Sequence, residues 1–255
     1  MKLALYQGPA ISGATEETFA CVSTQLTAAA AAGAAMLVMP ELFLPGYNQP
    51  ALHDRLSQPR GGDWETRLAG MARAAGCGLT IGWAEREGET VYNAATAFGA
   101  DGGVLGHYRK IQLFGPMEQA SFAPGDGYCT FELGGVKAAL LICYDVEFAP
   151  HVRALAEQGV SLVLVPTANA VGFDHVQRAI VPGRAAELGI TIVYANYCGL
   201  EAGLSFGGLS LIADPLGQPM VSAGRGEALL VADLGVNDDL PKPSLSTQRA
   251  DYREL

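Results

Sequence analysis

Short, almost wholly apolar runs spaced by helix-length amphipathic segments constrain this chain more than any other feature. Met36–Met39, Leu162–Pro166 and Thr191–Tyr197 are too short for helices and apolar on both alternating faces. Such runs are strands covered on both sides, as in parallel sheets. Glu16–Ala32, Trp64–Ala75, Phe148–Gln158 and Val176–Leu188 have helical spacing and lie between strand-like segments. The remaining strand-like segments are Lys2–Gln7, Gly78–Glu85, Tyr92–Phe98, Val104–Ile111, Tyr128–Leu133 and Val136–Cys143. Gly134-Gly135 between the last two is a hairpin signal. Gly208–Ala213 and Glu227–Asp233 flank the turn Asp214-Pro215-Leu216-Gly217 and are read as a second hairpin. A purely doubly wound sheet has no need of hairpins. The pattern therefore predicts an α/β fold of two mixed sheets packed face to face, with helices outside. No linker composition divides the chain, so residues 1–255 are read as one domain, with 238–255 as a loop-like tail.

At 255 residues, 49% hydrophobic and 16% charged, the chain can bury a full layered core and an apolar subunit interface besides. No apolar stretch reaches about 18 residues, so no membrane span is expected. The N-terminal residues read as a strand rather than a targeting segment, and a cytoplasmic location is expected. A net charge of −10 argues against broad contact with nucleic acid. Five cysteines at wide spacing, with no C-x-x-C pair, make neither a zinc site nor a disulfide framework. The four histidines form no ligand pair; no metal and no cofactor are expected.

Three chemically costly residues stand at strand ends. The chain has four lysines against twelve arginines, and Lys110 closes the strand-like Val104–Ile111. A lysine there needs a carboxylate or a developing negative charge to meet. Glu41 follows Met36–Met39 and precedes Leu42-Phe43-Leu44, an apolar setting that raises a carboxyl pKa and suits a general base. Cys143 ends the apolar run Val136–Ile142 and precedes Tyr144-Asp145. Of the five cysteines it is the candidate nucleophile; Cys21, Cys77, Cys129 and Cys198 are read as small buried hydrophobes.

Read together, these residues suit acyl transfer. Cys143 attacks a carbonyl, Glu41 carries the proton to the departing amine, and Lys110 with the Tyr144 N–H holds the oxyanion. Glutamate and lysine then fill the roles that histidine has in papain-like enzymes.

At these residues the chain resembles the nitrilase superfamily of carbon–nitrogen hydrolases. Pro40-Glu41-Leu42-Phe43, Tyr108-Arg109-Lys110-Ile111 and Leu141-Ile142-Cys143-Tyr144-Asp145 look like its glutamate, lysine and cysteine blocks, in order, and the likeness covers nearly the whole chain. The resemblance implies a four-layer α-β-β-α sandwich and homodimers or larger homo-oligomers, with the tail at the subunit interface. It implies a second glutamate, Glu118, that positions the lysine and the substrate amide. It also implies a substrate-lining segment at Thr167-Ala168-Asn169 and a helical Arg184/Glu187 ion pair.

Cys143-Tyr144-Asp145 looks like the amidase branch, as do the segments around Tyr47 and Tyr197. Carbamoyl hydrolases of the superfamily carry arginines just beyond the cysteine, where this chain has Val146 and Glu147. A carboxylate there repels acidic substrates and attracts an ammonium, unless Glu147 instead caps the following helix. The expected activity is hydrolysis of a small aliphatic or amino-substituted primary amide. An N-carbamoyl compound or a nitrile is the alternative substrate, and a catalytically silent binding subunit the remote alternative.

Overall fold

The computed structural model describes residues 1–235 and 244–253. One six-stranded sheet comprises β1 (Lys2–Gln7), β2 (Met36–Val38), β3 (Gly78–Glu87), β4 (Thr90–Phe98), β5 (Val104–Arg109) and β14 (Ala228–Asp233), in the order β14-β1-β2-β3-β4-β5. The other comprises β6 (Cys129–Leu133), β7 (Val136–Leu140), β8 (Leu162–Pro166), β9 (Thr191–Ala195), β12 (Leu211–Ala213) and β13 (Pro219–Ser222), in the order β13-β12-β9-β8-β7-β6. A separate two-stranded hairpin joins β10 (Leu200–Glu201) to β11 (Leu204–Ser205). Both large sheets follow one plan. Three parallel strands, β1-β2-β3 and β9-β8-β7, form the centre, and antiparallel strands flank them.

Alternation along the central strands builds the layers. Leu3 and Leu5 of β1, with Met36 and Val38 of β2, share a core with Ala138, Leu140, Leu162 and Leu164 of the other sheet. Ala4, Tyr6, Leu37 and Met39 belong to a second core with Phe19, Val22 and Leu26 of α1 (Thr15–Ala31) and Leu68 of α3 (Asp63–Ala75). Successive strand residues face opposite sides of a sheet, so the first set lies between the sheets and the second under the helices. On the far side, α5 (Ala149–Glu157) and α6 (Val181–Leu188) contribute Val152, Leu155, Val181 and Ala185. The result is the four-layer α-β-β-α sandwich. Each fully buried leucine or valine contributes on the order of 1.5–3 kcal/mol.

The Gly134-Gly135 hairpin forms as read, with Leu133 opposite Val136. The second hairpin does not. The Asp214–Gly217 turn joins β12 to β13, with Leu211 opposite Ser222. Glu227–Asp233 instead crosses to the first sheet, where β14 pairs antiparallel with β1. Its alternating pattern suits any half-covered edge, and β1 offers an open one. Two short helices form in segments left unassigned from sequence, α2 (Pro50–Leu56) and α4 (Gly115–Ser121), each with proline in its first turn. The segment read as the helix Val176–Leu188 opens with a π-helical turn, Val176–Ile180. Strand β7 stops at Leu140, and Cys143–Glu147 is a 3₁₀ turn rather than a strand end. Of the tail, residues 238–243 and 254–255 lie outside the described residues; α7 (Gln248–Asp251) packs against α6. No described helix is long and apolar enough to cross a membrane.

Candidate active site

Glu41, Lys110, Cys143 and the Thr167–Asn169 segment all follow the C-terminal ends of strands, at one end of the interface between the sheets. The Glu41 backbone rests directly on β3. Gly82 N–H donates to Pro40 O at 3.2 Å, and Leu44 N–H donates to Gly82 O at 3.3 Å. A Cβ on Gly82 would lie 2.4 Å from Leu42 N and 2.6 Å from Glu41 Cα, so only glycine permits this approach. From the other sheet, Thr167 O accepts Glu41 N–H at 3.3 Å. Leu42 and Cys143 adopt left-handed backbone, φ 46° and 44°, which costs non-glycine residues about 1–3 kcal/mol and persists where surroundings over-determine it.

Glu41, Lys110 and Glu118 are completely buried. Lys110 Nζ donates to Glu41 Oε1 at 2.6 Å and to Glu118 Oε1 at 2.8 Å. Asn93 Nδ2 donates to the same Glu41 oxygen at 2.7 Å, whereas Glu41 Oε2 is buried and has no hydrogen-bond partner among the described residues. Glu118 is held from three sides: besides Lys110, it accepts the Tyr47 hydroxyl at 2.7 Å and Phe114 N–H at 2.9 Å. Lys110 is fixed at the backbone, its N–H donating to Asn93 O and its carbonyl accepting Gly125 N–H, both at 2.8 Å.

Asp145 pins the Cys143 turn to the lysine segment. Its Oδ1 accepts Gln112 N–H at 2.8 Å, and its Oδ2 accepts the Tyr108 hydroxyl at 2.9 Å and Ile142 N–H at 3.0 Å.

Electrostatics follow from burial. Desolvation raises the Glu41 carboxyl to about 7, against the opposing pull of Lys110. Burial alone would lower the Lys110 pKa, but Glu118 and Glu41 outweigh it and hold the ammonium above the usual lysine range. Burial, then the Glu41 charge, pushes the Cys143 thiol well up, while Lys110 and the Ala168 N–H pull it down. The resting sulfur is therefore a thiol, and it needs a base to become a nucleophile.

Cys143 opens into a cavity of about 60 Å³ walled by Tyr47, Phe114, Tyr144, Glu147, Ala168, Asn169, Phe173 and Leu204. The structure brings Glu41, Lys110 and Glu118 together behind the thiol, with Tyr47, Tyr144, Glu147, Ala168 and Asn169 around it. A larger cavity of about 520 Å³ beside Gln177, Pro182 and Pro219 contains none of them. The Asn169 side chain holds the wall, donating to Phe173 O and Gln177 Oε1 at 3.4 Å each. The α5 N-terminus has no side-chain cap, so Glu147 does not cap that helix. Among the described residues, no hydrogen bond or ion pair engages the Glu147 carboxylate; Arg184 Nη2 donates to its backbone carbonyl at 3.1 Å. Arg184 and Glu187 form the expected ion pair, at 3.3 Å.

Sequence reasoning missed Asn93, Asp145, Phe114, Phe173 and Leu204. Asn93 had a legible signal, an amide inside the apolar strand β4. Phe114 and Phe173 belong to connections, and Leu204 to the two-residue strand β11, whose paths no local pattern specifies. Among the described residues, no group of three or more His, Cys, Asp or Glu side chains is placed to hold a metal ion.

The sequence profile of the family described as carbon-nitrogen hydrolase matches residues 2–238. A protein from Pseudomonas protegens described as a hydrolase in the pqqF 5' region is 38% identical over 241 residues, covering 92% of this chain and 82% of its own. An (R)-stereoselective amidase from a Pseudomonas species is 33% identical over 258 residues, covering 100% and 90%. The crystal structure of an amidase from a Nesterenkonia species superposes with a TM-score of 0.88 at 40% identity, covering 92% of this chain and 90% of that one. A cysteine-to-alanine mutant of that amidase is in complex with butyramide, and another form shows Michael addition of acrylamide at its active-site cysteine.

Proposed function

The chain belongs to the carbon–nitrogen hydrolase family, and from that premise we propose how its residues divide the work of hydrolysing a small aliphatic or amino-substituted primary amide. It is an amidase that works through a cysteine thioester. The observation that carries the assignment of roles is the bare oxygen of Glu41, beside an ammonium and a thiol that both sense its charge.

Glu41 takes the Cys143 proton as the sulfur bonds to the amide carbon. The carbonyl π electrons move onto oxygen, which Lys110 Nζ and the Tyr144 N–H stabilise. Glu41 returns the proton to nitrogen, the C–N bond breaks, and ammonia leaves. Glu41 then deprotonates water, the hydroxyl attacks the thioester, and the C–S bond breaks as the proton passes back to sulfur. Glu118, held by Lys110, Tyr47 and Phe114 N–H, orients the ammonium and the substrate NH₂. Because Lys110 keeps its proton throughout, the net charge of the buried group changes little along the path.

The test is ammonia release across amides, nitriles and N-carbamoyl compounds, with intact-mass detection of an acyl adduct. Amides are expected to turn over and to leave an adduct of acyl mass, and Cys143→Ala to abolish both. An alanine variant that kept either would refute the assignment. Carbon dioxide released together with ammonia would identify a carbamoyl substrate instead.

Ala168 and Asn169 line the acyl side, and the Glu147 carboxylate, which no ion pair engages among the described residues, supports recognition of an amine on the acyl group. The proposal extends to a homodimer or larger homo-oligomer, with the tail from residue 238 at its interface. A cytoplasmic location is supported by five free cysteines, which persist in reducing compartments.

A further inference from the structure

Behind the Tyr47 wall of the cavity sits a buried carboxylate that the chemistry above does not use. Glu201 is 3% exposed and lies on the two-residue strand β10. Its Oε2 accepts Asn48 N–H at 2.7 Å, and its Oε1 accepts the Ser12 hydroxyl. Asn48 replies through its side chain, Nδ2 donating to Glu201 O at 3.3 Å and Ala202 O at 3.2 Å. A buried carboxylate is costly unless donors surround it, and here they come from the segments on either side of the Tyr47 loop.

That loop is shaped around the carboxylate. Gly46 has φ 122°, and a Cβ there would lie 2.5 Å from Glu201 Oε1. On the other side of Gly46, the buried His53 places its Nε2 2.9 Å from the Gly46 carbonyl. Tyr47, next along the chain, is thus held between two anchors while its hydroxyl donates to Glu118.

Glu201 also reaches a second wall residue. In the β10–β11 hairpin it is the direct cross-strand partner of Leu204, and cross-strand partners share a face. Leu204 lines the cavity with Tyr47. One carboxylate therefore fixes two wall residues on separate segments.

We propose that Glu201 is a positioning residue that sets the gap between Tyr47 and Leu204, and through it the length of acyl chain the enzyme accepts. This rests on the reading that Cys143 carries the acyl group in this cavity. Loss of the carboxylate lets the hairpin move from the Tyr47 loop, which widens the pocket and slackens the Tyr47–Glu118 contact.

The experiment compares acetamide, butyramide and hexanamide with the wild type and with Glu201→Ala, Glu201→Gln, Ser12→Ala and Cys143→Ala. Glu201→Ala is expected to lower kcat/KM for acetamide about 10- to 100-fold and to raise the hexanamide-to-acetamide ratio at least threefold. Glu201→Gln, which keeps one acceptor, is expected to fall between it and the wild type. Should Glu201→Ala fail to fold, Ser12→Ala removes a single donor and shifts the same ratio in the same direction. An unchanged ratio in every soluble variant overturns the proposal, even where overall activity falls. If Cys143→Ala stays active, the underlying assignment fails; if it is inactive and the ratios hold constant, only the role of Glu201 does.

Discussion

Glu41 meets Lys110 with one carboxylate oxygen only. Oε1 takes the ammonium at 2.6 Å, and Asn93 crowds the same atom at 2.7 Å, while Oε2 has no partner among the described residues. A bidentate pair would occupy both oxygens and leave a poor proton acceptor. The one-sided pair keeps a lone pair free, in a setting where burial has already lifted the carboxyl to about 7. Lys110 can hold the charge of the site while Glu41 exchanges a proton.

Activity should therefore depend on pH through Glu41. The base works as a carboxylate, so kcat/KM is expected to fall about tenfold per unit below pH 7 and to level off above it. The Asn93 hydrogen bond lowers the Glu41 pKa. Asn93→Ala removes it, and the acid limb of the kcat/KM profile should move to higher pH. A limb that stays in place, or moves down, contradicts the assignment of the base.

Lys110→Met leaves Glu41 and Glu118 buried without their shared cation. Breaking such a pair costs about 3–5 kcal/mol, which for a chain of this size lowers Tm by on the order of 10 °C. The loss should shrink as pH falls below about 7, because a protonated Glu41 no longer needs the cation. Calorimetry of both proteins at neutral and mildly acidic pH reads this directly. An equal Tm deficit at both pH values would show that the lysine serves packing rather than charge.

Glu147 lines the cavity, and among the described residues no hydrogen bond or ion pair engages its carboxylate. Glu147→Gln keeps its shape and removes its charge. The ratio of kcat/KM for an amino amide to that for its uncharged analogue is expected to drop about tenfold. If both substrates lose activity by the same factor, Glu147 shapes the pocket without reading charge.

Acid stability has a different source. Glu85 is buried on β3, where His107 Nε2 lies 2.7 Å from its Oε2, and Arg109 donates to both its oxygens. Burial pushes its carboxyl up, but His107 and Arg109 outweigh burial and bring it to about 2. Being lower in the folded state, it stabilises above the unfolded value near 4.5 and loses that contribution as pH falls toward 2. The contribution is about 3 kcal/mol. Chemical denaturation of Glu85→Gln should therefore show a shallower loss of stability than wild type across that interval.

The layers and the chemistry differed in how far they could be read from the chain. Strand identity rode on local patterns, so β1, β8 and the Gly134-Gly135 hairpin were legible. Partner choice was not: Asp214–Gly217 is a turn, as read, yet it leads into Pro219–Ser222, whose opening proline argues against a strand. Glu227–Asp233 then finds an edge more than 220 residues away in sequence, in the other sheet. Glu41, Lys110 and Cys143 were legible because each is out of character with the apolar run before it. Asp145 gave no such sign, since its worth lies in three donors that the fold brings to it. Leu204 and Phe173 look like any apolar loop residue until the chain closes around Cys143.

The glycine seat under Glu41 has a consequence for how such an enzyme can diversify. Base, lysine and thiol follow the ends of sheet strands, with the Glu41 backbone seated on Gly82, while Phe114, Phe173 and Leu204 enter from three separate segments. Those three positions form an interchangeable front on a fixed chemical frame. A combinatorial library confined to them would explore new amides while leaving the bond-breaking apparatus untouched.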